Sequence, residues 1–290
     1  MSKLRVVFLG NHNVGIKAIE AILENAILVG VVCHPKDDEE GVVYESVFDF
    51  VTQKNIPAIR GKGKDKKVYE FISSKKADLI WITDYKFIIP KEVIESVRLG
   101  AINLHPSLLP KYRGRAPINW AIINGEQKIG LTAHFVDEGV DTGDIIQQVE
   151  ISISEHEYIG DILDKLYPIY FSITKETIKK LTTNQIQVVT QTSIAHNHVY
   201  PHRTAKDGEI NWNLPVKDIY NLIRAVSKPY PGAFFYTDNK KIIIWKAEVL
   251  PLNNSDSVKM NGKIIEENKD NHFFIVKCKD AKLKVNEYEI

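Results

Sequence analysis

Leu4-Arg5-Val6-Val7-Phe8-Leu9-Gly10-Asn11-His12-Asn13-Val14-Gly15 decides the fold of this chain. Leu4 to Leu9 is an almost unbroken apolar run, of the length of a strand buried on both faces. A turn bounded by Gly10 and Gly15 follows, and Ile16 to Leu23 repeats its apolar residues at helical spacing. Strand, glycine turn and helix predict the first βα unit of an α/β fold with an open, mostly parallel sheet. The pattern recurs. Ile27 to Cys33 and Leu79 to Thr83 read as strands, and Ser46 to Lys54, Val68 to Ser74 and Pro90 to Val97 read as helices. The first turn holds only two glycines and lacks the Gly-x-Gly-x-x-Gly fingerprint, which argues against a nicotinamide cofactor.

The chemistry gathers further along. Ala101-Ile102-Asn103-Leu104-His105 alternates and stops at Pro106, as the end of a buried strand does. Side chains two apart on a strand share a face, so Asn103 and His105 project together, roughly 7 Å apart at the backbone. Ala116 to Ile123 carries Pro117 in its first turn and stops at Asn124-Gly125, the signals of a short helix. Arg113 and Arg115 therefore precede a helix N-terminus, where anions bind. A second strand, Gly130 to Val136, delivers a loop with Asp137, Glu138 and Asp141. The Asp141 carboxylate is the natural partner of His105, since such a neighbour fixes the imidazole tautomer. Singly, a histidine at a strand end is usually a core residue and an aspartate in a glycine-rich loop a turn former. Together, an amide, an imidazole and a carboxylate beside an arginine loop are the equipment of acyl transfer.

Downstream, Ile159 to Thr182 reads as a helix in which Pro168 should make a kink or mark a boundary. Beyond about residue 205 the character changes. Val216 to Val226 is a short amphipathic helix, and Lys228 to Gly232 is a turn. Ala233 to Tyr236, Lys241 to Trp245, Lys263 to Ile265 and Phe273 to Val276 are short strands of a small antiparallel, barrel-like domain. Two domains are expected, 1–204 and 205–290.

At 290 residues with a net charge of +1, the chain exerts no global pull on nucleic acid or on a membrane surface. Cys33 and Cys278 lie in apolar runs and are expected to be reduced core thiols. A secretory signal and an apolar stretch approaching roughly 18 residues are both lacking, so a soluble, cytoplasmic protein is expected. His196, His198 and His202 match no metal-site spacing, so no metal is expected.

The combination of Asn103-x-His105, the Ser107-Leu108-Leu109-Pro110 loop and Asp137-Glu138-Gly139-Val140-Asp141-Thr142-Gly143 resembles the folate-dependent formyltransferases. The resemblance implies the formyltransferase fold, a Rossmann-like sheet followed by a small OB-like β domain. It makes 10-formyltetrahydrofolate the co-substrate, Asn103 the amide that polarises the formyl carbonyl, His105 the acid/base and Asp141 the carboxylate that orients it. It also assigns Phe87, Ile88 and Ile89, through their backbone, to the pteridine, with Asp137, Glu138, Gly139 and Val140 closing over the ring and Arg115 nearby. His12, Lys111, Tyr112, Arg113 and Arg203 become candidates for the acceptor, Arg203 for a diphosphate. A homodimer is expected.

Three acceptors come into question. Methionyl-tRNA formyltransferases carry a basic loop after the second strand, where this chain has Lys36-Asp37-Asp38-Glu39-Glu40; four carboxylates repel a phosphate backbone. From Lys206 onward there are 14 Lys and Arg against 12 Asp and Glu, a net of +2 that makes no electrostatic footprint for RNA. Glycinamide ribonucleotide transformylases share the loop wording but end soon after the α/β domain. Sugar-nucleotide N-formyltransferases, which serve surface polysaccharide synthesis, are the better resemblance. It rests on Lys111 to Trp120, on His202-Arg203-Thr204-Ala205-Lys206-Asp207 leading to Trp212, and on Arg224-Ala225-Val226 with Pro229 to Phe234. Ala205-Lys206 departs from the familiar Arg-Thr-Pro-x-Asp wording. A nucleotide-linked amino-deoxysugar is therefore the expected acceptor, with initiator tRNA second. A catalytically silent module is disfavoured because Asn103, His105 and Asp141 are all present.

Overall fold

The computed structural model describes residues 3–35, 45–191, 198–253, 259–268 and 270–290. The chain forms two compact units. The first takes in residues 1–114, 129–151 and 164–199; the second takes in 115–128, 152–163 and 200–290.

The first unit is built on a seven-stranded sheet. Its strands are β1 (Arg5–Gly10), β2 (Ile27–Cys33), β3 (Ala58–Arg60), β4 (Leu79–Thr83), β5 (Ala101–His105), β7 (Lys128–Phe135) and β8 (Ile145–Ser152). Between β5 and β7 lies the two-residue strand β6 (Arg113–Gly114). The sheet order is β3-β2-β1-β4-β5-β7-β8. Pairings from β3 through β5 are parallel, and β5 meets β7 antiparallel. The predicted open, mostly parallel sheet is thus present. Val6, Val7, Phe8 and Leu9 of β1 are fully buried, as the uninterrupted apolar run requires of a strand covered on both faces.

Helices α1 (His12–Asn25), α2 (Val47–Gln53), α3 (Lys66–Ser74) and α4 (Lys91–Glu95) connect these strands. Ser46 caps α2 by accepting from the Asp49 amide. Val68 and Ile72 of α3 and Val93 of α4 bury their apolar stripe against Val7, Leu9, Val32, Ile80 and Ile82 of the sheet. Such burial contributes about 1.5–3 kcal/mol per large aliphatic side chain. The Gly10 turn has a packing reason: a Cβ there would lie 2.0 Å from the Thr83 carbonyl oxygen. Cys33 and Cys278 are free and buried, and burial pushes both thiols up to about 12.

The second unit holds α5 (Pro117–Ile123), the start of α6 (Ile159–Thr182), and α7 (Val216–Val226). Helix α6 runs unbroken through Pro168. Asn119 of α5 donates to the Ala225 carbonyl at the end of α7 at 2.7 Å. Arg224 is buried and donates to the Ser154 and Glu157 carbonyls, each at 2.8 Å, which gives its charge two fixed acceptors. After the two-residue strand β9 (Val199–Tyr200) comes an antiparallel sheet in the order β10-β11-β14-β13-β12. Its strands are β10 (Ala233–Thr237), β11 (Lys240–Leu250), β12 (Ile264–Asn268), β13 (Phe273–Lys277) and β14 (Lys282–Glu289). The four expected strands are all there. The fifth, β14, is central and went unread, because its inward Leu283 and Val285 alternate with Lys282, Lys284 and Asn286 and form too short an apolar signal.

Candidate active site

Strands β5 and β7 build the site. Their antiparallel register sets Asn103 opposite His134 and His105 opposite Thr132, so all four side chains fall on one face. His134 was not among the residues singled out by sequence. Its Nδ1 donates to the Phe135 carbonyl at 2.7 Å, which leaves Nε2 with the lone pair. Burial pushes the ring down to about 4, against the opposing pull of the Asp141 carboxylate, so it is neutral near pH 7. The Asn103 Nδ2 atom lies 3.2 Å from His134 Nε2 and 3.4 Å from Asp141 Oδ1. Both neighbours are acceptors, so the amide has only one sensible orientation: its NH2 end faces them.

His105 is buried, with 5% of its surface exposed. Its Nε2 lies 2.8 Å from the Tyr112 carbonyl and its Nδ1 lies 3.5 Å from Asp141 Oδ2. A carbonyl only accepts, so Nε2 is the nitrogen that donates to Tyr112, and Nδ1 is the one that faces the carboxylate. Asp141 itself is held by the Gly114 amide, which donates to Oδ2 at 2.9 Å. The loop after His105 is tied to the sheet through Thr132. Its hydroxyl donates to Ser107 O at 2.6 Å, and Gln148 donates to Thr132 Oγ1 and to Leu109 O.

Asp141 stands at φ +53°, in the left-handed region that aspartate tolerates better than most residues. Asp137 steadies the same loop, its Oδ1 accepting from the Gly139 amide at 3.1 Å and the Thr142 hydroxyl at 2.6 Å. Gly143 closes the loop against β7: a Cβ on it would sit 1.9 Å from the Phe135 carbonyl oxygen. Gly143→Ala is therefore expected to cost about 1–3 kcal/mol of stability by forcing the loop off the strand. Thermal unfolding of the purified variant measures this, and an unchanged midpoint contradicts the close approach.

The segment Phe87–Ile88–Ile89 follows β4, and Ile88 is 84% exposed. Lys91, just beyond it, pairs with Glu138 at 2.7 Å, which brings this segment beside the 137–141 loop. Val140 is exposed on that loop. His12 contacts Asp84 through Nδ1, and both residues have positive φ. His34, a buried residue the sequence reading passed over, accepts from the Lys86 amide at 3.0 Å and packs its ring on Tyr85 and Phe87.

Of the residues expected to meet the acceptor, Lys111 is exposed, while Tyr112 and Arg113 are buried. The Arg113 guanidinium reaches Gln191 Oε1 through Nε at 3.2 Å and Nη2 at 2.7 Å. In the second unit Arg115 is exposed and its amide donates to the Tyr200 carbonyl. Arg203 lies over the Trp120 ring, 4.7 Å from its centroid, and donates to the Asp207 carbonyl. His196 and the segment Lys36 to Glu40 lie outside the described residues. Among the described residues no group of three His, Cys, Asp or Glu is placed to hold a metal, and no helix is long and apolar enough to cross a membrane.

Comparison with known proteins converges on the same chemistry. The chain is 34% identical over 272 residues to the methionyl-tRNA formyltransferase of Clostridioides difficile (strain 630), covering 92% of this chain and 86% of that one. It is 33% identical over 285 residues to the bifunctional polymyxin resistance protein ArnA of Wigglesworthia glossinidia brevipalpis, covering 97% of this chain but 42% of that longer protein. Among solved structures, the N-formyltransferase of Helicobacter canadensis, in complex with folinic acid and dTDP-3-aminofucose, superposes with a TM-score of 0.68 at 22% identity. The match covers 98% of this chain and 99% of that one. Residues 4–168 match the formyl transferase family and residues 203–290 its C-terminal domain. With an oriented amide and a buried imidazole on the strands that this match spans, and a carboxylate on the loop that follows them, the chain belongs to the formyl transferase family.

Proposed function

We propose that the protein transfers a formyl group from 10-formyltetrahydrofolate to the primary amine of a nucleotide-linked amino-deoxysugar. The convergence of Asn103, His105, His134 and Asp141 carries the acyl-transfer part of this reading. When bound, the folate supplies a formyl carbon open to attack by an amine. The pairing of Lys91 with Glu138 supports a fit, because it draws Phe87, Ile88 and Ile89 together with the loop that carries Val140. The exposed apolar side chains of Ile88 and Val140 suit a flat heteroaromatic ring.

The residues divide the work. As the acceptor nitrogen bonds to the formyl carbon, negative charge develops on the formyl oxygen. Asn103, its NH2 end held by neutral His134, exchanges its long 3.4 Å contact with Asp141 Oδ1 for a hydrogen bond to that oxygen; such a donor contributes about 2.7–4 kcal/mol. His105 keeps its Nε2 proton on the Tyr112 carbonyl and takes the proton leaving the amine at Nδ1. Asp141 Oδ2, 3.5 Å away, stabilises the resulting imidazolium. His105 then returns the proton to the departing folate nitrogen as the old carbon–nitrogen bond breaks. A positioned base of this kind contributes roughly 10²–10⁴ in rate.

The acceptor is read from electrostatics. The region from Lys206 onward is nearly neutral, and several of its lysines are engaged: Lys228 and Lys246 with Glu287, and Lys284 with Glu248. Binding of an RNA backbone rests on clustered, unpaired cations. Arg203, stacked on Trp120, suits a single diphosphate instead. The structural likeness to a protein solved with a dTDP-amino sugar points the same way. A methionyl-tRNA acceptor is the second reading, favoured by the 34% identity to the Clostridioides difficile protein.

Incubating the protein and 10-formyltetrahydrofolate with dTDP- and UDP-linked 4-amino and 3-amino sugars, and separately with charged initiator tRNA, tests the choice. Tetrahydrofolate release with an amino-sugar nucleotide is the expected outcome. Turnover with the tRNA alone overturns it, and no turnover with any acceptor removes the enzymatic reading.

A further inference from the structure

Gln191 follows the segment that returns to the sheet after α6, where Val189 and Ile145 exchange both backbone hydrogen bonds at 2.8 and 2.9 Å. Its side chain reaches back fifty residues to the Asp141 loop. The amide Nε2 donates to the Asp141 carbonyl at 3.0 Å and to the Gly143 carbonyl at 2.7 Å. The amide Oε1 accepts twice from Arg113. Every hydrogen-bonding position of this one side chain is thus filled, two donors on carbonyls and two lone pairs on a guanidinium fork. Arginine only donates and carbonyls only accept, so the amide cannot be turned round.

We infer that Gln191 is a positioning residue for formyl transfer, with buried Arg113 as its anchor: together they hold the backbone of Asp141 so that its carboxylate faces His105 and Asn103. The inference rests on the role proposed above for Asp141. Asp141 sits in the left-handed region, an uncommon conformation that hydrogen bonds to its own backbone help to hold. Its carboxylate is fixed by the Gly114 amide at one end, and the Gln191 amide fixes the carbonyl at the other. Arg113 is therefore assigned inward, to this strap, in place of the acceptor contact expected from sequence.

Glutamate and methionine separate the parts of the strap. Gln191→Glu keeps the length and the contact with Arg113 but sets an oxygen against two carbonyl oxygens; Gln191→Met removes every polar contact at similar volume. Both variants are expected to lower kcat at least about tenfold, with KM for the amine acceptor within about twofold of the parent, since a loosened carboxylate impairs the transition state rather than binding. In an Asp141→Asn background the same replacements are expected to add less than about twofold, because residues acting through one another are not additive. Full loss in both backgrounds, or kcat unchanged in the Gln191 variants, overturns the inference. Should Gln191→Met fail to fold, Gln191→Glu decides alone, with thermal unfolding confirming its integrity. Near-normal turnover by Asp141→Asn itself refutes the underlying site reading, a result distinct from a failure at Gln191.

Discussion

Replacing His105 by Ala is expected to lower kcat at least about a hundredfold in a protein that still folds, and Asn103→Ala to do the same. The two losses have different origins. Without the ring, the proton leaving the amine has no acceptor beside Asp141, since the other imidazole nearby, His134, is held neutral and turned toward Asn103. Without the amide, the formyl oxygen loses the donor that meets its developing charge. The fold is expected to survive because both residues lie at the polar face of β5, while Ile102 and Leu104 keep its apolar face buried. Single-turnover formyl transfer, with circular dichroism and thermal unfolding as controls, measures the effect. Normal turnover in a folded His105→Ala protein would remove the mechanism.

Acid is expected to weaken the protein through His134. The ring titrates near 6.5 in the unfolded chain and near 4 in the fold, so it contributes no penalty above about pH 6.5. As pH falls from 6.5 to 4 the unfolded state takes up a proton that the folded state refuses, and stability falls by on the order of 3 kcal/mol over that window. Below about 4 the folded ring protonates as well, and Nε2 can no longer accept from Asn103. Activity should therefore fall at acid pH even where the fold persists. Urea unfolding at several pH values between 7 and 4, on the parent and on His134→Gln, isolates this contribution: the variant should show the shallower decline. Equal slopes would mean that the ring is not held neutral by its burial.

The layout of the fold was legible because its signals are local. The β1 run, the glycine turn and the spacing of α1 specify a βα unit without reference to the rest of the chain. The bounds of α6 and α7 follow from the apolar spacing that the structure buries. Asn103 and His105 were legible as a pair because period two places them on one face. His134 also carried a readable sign, since Thr132 and His134 alternate with Leu131, Ala133 and Phe135 in a strand whose polar face required a partner. What hid it was the pairing. That β7 runs antiparallel to β5, and in the register that opposes residue 134 to 103, depends on contacts across thirty residues that no local pattern encodes. Gln191 was invisible for the same reason, in a stretch without apolar periodicity. Arg113 shows a limit of local reading, since an arginine before a helix looks alike whether it faces a ligand or an internal amide such as that of Gln191.

The reversed pairing of β5 and β7 carries a lesson about where such an enzyme is free to vary. Asn103 and His134 are fixed by ladder hydrogen bonds, and slipping either strand by one residue would send its whole polar row to the opposite side. The chain from Arg115 to Lys128, inserted between the two strands, belongs to the other compact unit. A change of length within that excursion leaves residues 103 and 134 facing one another, because the match between the two strands is set by the face each of them buries.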